Sequence, residues 1–298
     1  MKPIISSFLD YDHNSLETQI ELANKLDFSH VIIRKVAGEK INQLSEQAFE
    51  NLSHETRTRK VIAVDPLLDS IPIRDQSRLE SYNQALDLAA YRAKELKAQY
   101  IIYTLPKFDD LIQDKDNILE IVRQQVAIIK KRKIDVLIKP FDQHKSQTYR
   151  YILDELKDPK VRLIFDPVYL YKIKEAMVTS LRILKDYISL LIINDVDSKY
   201  APRLIGRGGF INLKDLIKRF IKQPFNGYVV LDSGLVELIP KASKYQWYER
   251  LFDANKRHEH KIMNDFIHLN KNQDTYTIIK VQIAVLNLMF LNKKVTLE

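Results

Sequence analysis

Short apolar runs rich in β-branched residues alternate along this chain with longer stretches in which apolar residues recur every three or four positions. The short runs predict strands at Pro3–Leu9, His30–Val36, Lys60–Leu67, Tyr100–Pro106, Asp135–Phe141, Val161–Pro167, Ser189–Val196 and Tyr228–Ser233. Their starts lie about 26 to 40 residues apart, the spacing of βα units. Most are apolar at every position, as in Val61-Ile62-Ala63-Val64 and Leu190-Leu191-Ile192-Ile193. Strands covered on both faces have this pattern, which implies a parallel sheet with helices outside. Between them lie helical stripes: Leu16, Ile20, Leu22, Ala23 and Leu26 behind an Asn14 or Ser15 cap; Leu86, Ala89, Ala90, Ala93 and Leu96; Ile118, Ile121, Val122, Val126 and Ile129; Leu213, Leu216, Ile217, Phe220 and Ile221. A strand followed by a helix, repeated this often in 298 residues, predicts a closed (β/α)₈ barrel. A doubly wound open sheet is the alternative, but no glycine-rich turn follows Leu9 as that fold usually requires.

Two regions depart from the repeat. Five of the six glycines (Gly206, Gly208, Gly209, Gly227, Gly234) fall between the seventh strand and the end of the eighth. They permit either a phosphate-binding turn or the tight turns of a long loop. With Arg203 and Arg207, the turn is the best anion-binding candidate in the chain, its N–H groups preceding a helix that starts near Asn212. The second region divides the chain into a barrel, 1–255, and a helical extension, 256–298. There His258–Leu269 reads as a polar helix, and Thr277–Leu291 is apolar nearly all round. The latter is too short to span a bilayer comfortably and must be covered by the barrel or by a second subunit, which allows a homo-oligomer.

Composition narrows the class. The chain is 45% hydrophobic and 29% charged, ordinary globular values, with no membrane-length apolar run and no signal-peptide pattern after Met1. No membrane partner is expected. Cysteine is absent, which excludes disulfides and thiolate ligands and fits a cytoplasmic protein. The formal charge is +8, but its bases are spread along the chain. The one dense run, Lys130-Lys131-Arg132-Lys133, falls at a helix C-terminus, where the macrodipole favours cations. Nucleic acid is therefore not the expected partner. There is no P-loop, nucleophile elbow, metalloprotease helix or dinucleotide fingerprint.

Four strand-end segments together resemble the xylose-isomerase-like TIM barrels, which include sugar and sugar-phosphate isomerases and epimerases and repair nucleases. They are Leu86-Asp87-Leu88-Ala89 running into Tyr100-Ile101-Ile102, Leu163-Ile164-Phe165-Asp166-Pro167, Gly206-Arg207-Gly208-Gly209-Phe210, and Tyr228-Val229-Val230-Leu231-Asp232. The similarity covers roughly residues 3 to 250. The resemblance implies a metal site with one carboxylate or imidazole from each of strands five to eight. On this chain the expected glutamate of strand five is Lys139, the aspartate of strand six is kept as Asp166, and a histidine three residues on is Tyr169. The strand-seven histidine falls at Ile192, with Asn194 two residues further on the same face, and the last glutamate is Asp232.

A protonated lysine repels a divalent ion, and two aspartates bind one weakly. The expectation is a site without its metal cofactor, in which Lys139 takes the place of the cation and lies within salt-bridge reach of Asp166 or Asp232. Asp65, Asp142, Asp195 and Asp197 are nearby carboxylates that could complete a rebuilt weak site, but they sit mostly in turns, where aspartate is common. Lys139, Asp166 and Asp232 are the candidate catalytic residues. Asn194, Tyr169, Arg203, Arg207, Gly206, Gly208 and His144 are the candidate substrate contacts, with Arg34 and Lys35 adding charge to the same face. Lys139 is open to two chemistries: a fixed cation polarising a carbonyl or phosphate, or a desolvated amine of lowered pKa acting as base. The resemblance implies an isomerase or epimerase acting on a small carbohydrate or sugar phosphate. A barrel that kept its pocket and lost catalysis is the alternative, and a repair nuclease is disfavoured by the poverty of histidine ligands.

Overall fold

The computed structural model describes residues 4–11, 15–222, 225–268 and 274–290. Pro3, His13, Asn14, Lys271 and Leu291 lie outside these ranges. Eight parallel strands form a closed barrel. They are β1 (Ile4–Phe8), β2 (His30–Ile33), β3 (Lys60–Val64), β4 (Tyr100–Tyr103), β5 (Asp135–Ile138), β6 (Val161–Phe165), β7 (Ile188–Ile193) and β8 (Tyr228–Leu231). Closure pairs Ile4–Ser7 of β1 with Tyr228–Leu231 of β8, and Ser7 and Phe8 with Val31 and Ile32 of β2. The open-sheet alternative is excluded.

Successive residues of a strand point to opposite sides, and here both sides are apolar for different reasons. One set, Phe8, Ile32, Ile62, Ala63, Tyr100, Ile102, Leu137, Ile164, Leu190, Ile192, Tyr228 and Val230, packs inside the barrel as its own cluster. The other set, including Val31, Ile33, Val136, Ile138, Leu163, Phe165, Val229 and Leu231, packs beneath the surrounding helices. Most of the helical stripes land as expected: Leu86, Ala89, Ala90 and Ala93 are buried on Gln76–Glu95, and Leu213, Leu216, Ile217 and Phe220 on Leu213–Ile221, whose last residue, Ile221, is exposed instead. Ser15 caps the first helix, Leu16–Lys25, in a capping box with Thr18.

Every predicted strand overruns its observed C-terminal end by one to three residues. The overrun residues include Leu105 and Val196, which are apolar and pack into the core from the loops rather than from the barrel ladder. After β2 the chain forms a two-residue hairpin, Lys35–Val36 with Glu39–Lys40, turned by Ala37 and Gly38 at positive φ. The basic run at 130–133 is structural: Lys130 pairs with Asp158, and Arg132 with Asp87 at 2.6 Å.

Beyond the helix that follows β8, Leu235–Ala242, lie Trp247–Phe252, Ala254–Ile267 and Thr275–Phe290. The expected apolar helix is the last of these. It packs on Leu213–Ile221 and Leu235–Ala242 and buries Ile278, Ile279, Val285 and Leu286 against the barrel's own outer layer. Its coverage is thus intramolecular. Ala254–Ile267 buries Ile262, Met263 and Phe266. No described helix is long and apolar enough to cross a membrane.

Candidate active site at the barrel mouth

The C-terminal ends of the strands carry a ring of polar side chains. Asp10, Arg34, Asp65, Lys139, Asp166, Asn194 and Asp232 each stand two residues beyond an interior residue: Phe8, Ile32, Ala63, Leu137, Ile164, Ile192 and Val230. The strand period therefore aims them at the mouth. Loops at this end of a barrel are where such folds hold their chemistry, because the strands fix the loop roots rigidly. A cleft of about 520 Å³ lined by Arg162, Lys185, Ser189, Phe225 and Gly227 lies at the opposite end of the barrel, by the strand starts. That position speaks for stability rather than reaction.

Ion pairs organise the ring. Arg34 grips Asp10 with two N–H groups, at 2.8 and 3.1 Å, and extends a third to Asp232 at 3.4 Å. Its guanidinium also lies 4.0 Å from the centre of the Phe8 ring, closing the floor of the mouth. Lys139 does not pair with Asp166 or Asp232, as the sequence had suggested; its ammonium bonds Asp65 at 3.1 Å. Asp65 is nearly fully buried and also accepts the Leu67 amide at 3.0 Å, so it holds the cation in a fixed place. Asp65 raises the Lys139 pKa above its ordinary value, outweighing burial. Of the two chemistries open to Lys139, the pairing favours the fixed cation over the neutral amine base.

Asp166 and Asp232 behave differently from the paired aspartates. Burial raises the pKa of each, and their mutual repulsion raises that of Asp166 further. Lys139 lowers both from beyond ion-pair distance, and Arg34 lowers Asp232. Asp166 accepts the amides of Val168 at 2.9 Å and Tyr169 at 3.1 Å as the N-cap of helix Pro167–Lys172. Asn194 presents a side-chain oxygen that is buried without a hydrogen-bond partner, beside strands ending in Asp166 and Asp232.

The remaining sequence candidates are placed elsewhere. Tyr169 bonds the backbone carbonyl of His144 at 2.7 Å and lies 3.1 Å from that of Phe141, tying down the loop after β5. His144, a candidate substrate contact, stacks its ring on Phe108 at 4.1 Å, and burial lowers its pKa. Arg203 is held by Asp197 at 3.1 Å and Asp265 at 3.4 Å. Together with Arg207, Gly208, Leu235, Phe266 and His268 it lines a side cleft of about 380 Å³ against the helix Ala254–Ile267. His258 bonds the same Asp197 at 2.7 Å, a contact between the extension and the seventh loop that spacing along the chain does not reveal.

The glycine turn is not a vacant phosphate cradle. The Asp195 carboxylate fills it, accepting N–H groups from Val196 at 3.0 Å, Ile211 at 3.3 Å and Gly206 at 3.4 Å. Gly206 and Gly208 supply the positive φ, +73° each, while Gly209 lies so close that a Cβ would sit 2.0 Å from the Asp195 carboxylate. The glycines are required by an internal anion. Burial pushes the Asp195 pKa up to about 6 in spite of these N–H groups. A carboxyl group with a raised folded pKa makes the native state bind more protons than the unfolded one. Stability is thus lost as pH rises from about 4 through about 6. Asp195→Asn keeps the acceptor for Val196 and Ile211 and removes the charge. Melting curves of the variant should be flatter than wild type between pH 4 and 7, and a variant with the same pH dependence would show that Asp195 is not its source.

The family model for xylose isomerase-like TIM barrels matches residues 20–253. The chain belongs to that family. Solved structures agree in fold. A xylose isomerase domain-containing protein from Salmonella typhimurium aligns over 91% of this chain and 98% of its own, with 14% identity and a TM-score of 0.63. The 3-keto-D-glucoside 4-epimerase of E. coli aligns over 78% and 92%, with 14% identity and a TM-score of 0.61. A D-allulose 3-epimerase from Methylomonas, solved with D-allulose, aligns over 78% and 85%, with 10% identity and a TM-score of 0.62. No curated protein matches the chain.

Two further solved structures of similar fold were described with a metal: the IOLI protein with a zinc atom (15% identity, TM-score 0.64) and a xylose isomerase-like TIM barrel protein from Mycobacterium smegmatis with magnesium (13%, 0.57). The residues of this mouth do not fit such an ion. A divalent cation needs several convergent oxygen or imidazole donors. Here Asp10 and Asp65 are engaged by Arg34 and Lys139, Asp166 caps a helix, and the strand-seven position is the interior Ile192. Asp195 and Asp197, considered from sequence as replacements, are committed to the glycine turn and to Arg203. Among the described residues no group of three or more His, Asp or Glu is placed to hold a metal ion.

Proposed function

We propose that this barrel is a sugar or sugar-phosphate isomerase- or epimerase-like protein of the cytoplasm, acting on a small carbohydrate with fixed side-chain cations where its relatives use a divalent metal. The observation that carries this reading is the pair of cations, Lys139 and Arg34, anchored by buried aspartates within a mouth that also holds Asp166 and Asp232. Aldose–ketose interconversion and epimerisation both begin with removal of a proton next to a carbonyl. The Lys139 ammonium is suited to stabilise the developing oxyanion, because it remains protonated and is already positioned. Asp232, whose pKa is raised and whose charge is balanced by Arg34, is suited to take the proton. The unpartnered oxygen of Asn194 is suited to accept a sugar hydroxyl.

A ligand-binding barrel without turnover is the second reading. It is favoured by the use of Asp166 as a helix cap, which ties that carboxylate to the backbone. A thermal-shift panel of free sugars, sugar phosphates and oligonucleotides tests both. Stabilisation by a carbohydrate and not by oligonucleotides is expected; the reverse would overturn the proposal in favour of a nuclease. Conversion of the stabilising compound, followed by isomer analysis, then separates enzyme from binder. Asp232→Asn should retain the thermal shift while losing turnover by about a hundredfold or more. Unchanged turnover in that variant would remove Asp232 from the reaction.

A further inference from the structure

Trp247–Phe252 is a short helix turned inside out. Its four large apolar residues face solvent: Trp247 is 66% exposed, Tyr248 51%, Leu251 56% and Phe252 88%. Its charged residues face the protein. Glu249 pairs with Lys256 and accepts the Gln246 amide, and Arg250 bonds His260 at 2.6 Å. The hydrophobic effect dictates the opposite arrangement for a helix at a protein surface. The other large exposed apolar residues, such as Ile112 and Phe210, are scattered along the chain. Isolated ones of that kind need no explanation, but a contiguous cluster does.

The surroundings of the cluster are basic. From residue 241 to 261 there are six Lys or Arg (Lys241, Lys244, Arg250, Lys256, Arg257, Lys261) against Glu249, Asp253 and Glu259. Lys244 and Lys261 are exposed, and among the described residues neither has an ion pair. This local excess adds to a chain of formal charge +8. A second copy of the chain is a poor fit on two counts. Like charges would meet across the contact, and four partly exposed side chains offer on the order of 500 Å², short of the roughly 800 Å² per partner of a stable interface.

We propose that Trp247, Tyr248, Leu251 and Phe252 form a docking surface for an anionic lipid bilayer, with Lys244 and Lys261 at its rim. Tryptophan and tyrosine have an apolar body and a polar tip, which suits the headgroup boundary, and phenylalanine and leucine reach below it. Basic side chains beside them gain from an anionic leaflet. This is attachment to the membrane surface, for which a spanning helix is not required. It stands independently of the reaction at the mouth.

Trp247 is the only tryptophan in the chain, so its fluorescence reports on this surface alone. The full-length protein should show a blue-shifted emission and co-sediment with vesicles of mixed phosphatidylglycerol and phosphatidylcholine, and do neither with phosphatidylcholine alone. Leu251→Ser with Phe252→Ser changes exposed side chains, so the melting temperature should hold. Partitioning should nevertheless fall about tenfold or more. No shift with anionic vesicles would overturn the proposal. So would equal partitioning of the double variant, which would mean binding by charge alone. A blue shift that follows protein concentration without vesicles, with a doubled mass in light scattering, would assign the surface to a second copy instead.

Discussion

A chain that ends at His268 is expected to be insoluble or unfolded when expressed. The helix it lacks, Thr275–Phe290, is apolar over most of its circumference because it is an outer layer of the barrel itself. Ile278, Ile279 and Leu286 are fully buried and Val285 nearly so, against helices Leu213–Ile221 and Leu235–Ala242. Each large side chain of this kind contributes roughly 1.5–3 kcal/mol when buried. Four of them amount to about 6–12 kcal/mol, on the scale of a whole domain's stability of about 5–15 kcal/mol. The loss also reaches the mouth. Gln282, buried on the same helix, donates to the Ser233 hydroxyl at 2.6 Å, and Ser233 follows Asp232. Removal therefore exposes an apolar groove and loosens the loop that positions Asp232. A truncated protein with the solubility and melting temperature of the full chain would contradict the packing described for this helix.

Lys139→Met is expected to cost roughly 2–4 kcal/mol of stability at neutral pH. Asp65 is 6% exposed at its side chain, and without the ammonium it is a buried charge with one amide for company. Breaking a buried pair by removing one partner commonly costs about 3–5 kcal/mol. The lower range applies here because a third of the Lys139 side chain is open to water. The pH dependence has a definite sign. The folded pKa of Lys139 lies above its ordinary 10.5, so the contribution from Lys139 protonation is fully present below that value, while Asp65 is charged, and is lost as pH rises through the folded one. In the variant, Asp166 and Asp232 lose a cation that lowers both of their pKa values, so both rise further. Their protonation in the native state then offsets part of the loss in acid. The deficit relative to wild type should accordingly be widest between neutrality and about pH 10 and narrow toward pH 4. Urea denaturation across that range measures it. A variant as stable as wild type at pH 7 would show that the Lys139–Asp65 pair does not hold the mouth together. Turnover of a carbohydrate identified by thermal shift should fall with it by about a hundredfold or more, the scale of losing one oxyanion-stabilising group.

The fold was legible because barrel strands are apolar on both faces. A run such as Leu190-Leu191-Ile192-Ile193 fits a strand covered on two sides, and the repetition of such short runs between helical stripes leaves few topologies. Strand ends were less legible, since Leu105 and Val196 are buried in the loops and look in sequence like a continuation of β4 and β7. The same alternation placed Lys139, Asp166 and Asp232 at one mouth, but it says nothing of which charge meets which. Lys139 and Asp65 are 74 residues apart, on strands two places apart around the barrel. Arg34 bonds Asp10 just past the neighbouring strand and reaches Asp232 only because β1 joins β8 at the seam. The choice between the two readings of the glycine turn was illegible for a related reason. A cluster of glycines shows that backbone must pass close to something, and the something is Asp195, eleven residues upstream of Gly206, rather than a phosphate. His258 and Asp197 likewise meet only once the extension has folded back on the seventh loop.

Metal content decides most directly whether side-chain cations serve here where the resemblance implies a divalent ion. Protein purified without chelator should carry less than stoichiometric Mn²⁺, Zn²⁺ or Mg²⁺ by elemental mass spectrometry. Calorimetric titration with Mn²⁺ should show no tight site, and Lys139→Glu alone should not create one, because Ile192 and Tyr169 still offer no imidazole. Stoichiometric metal in the native protein, lost on substitution of Asp166 or Asp232, would contradict the ionic mouth described above.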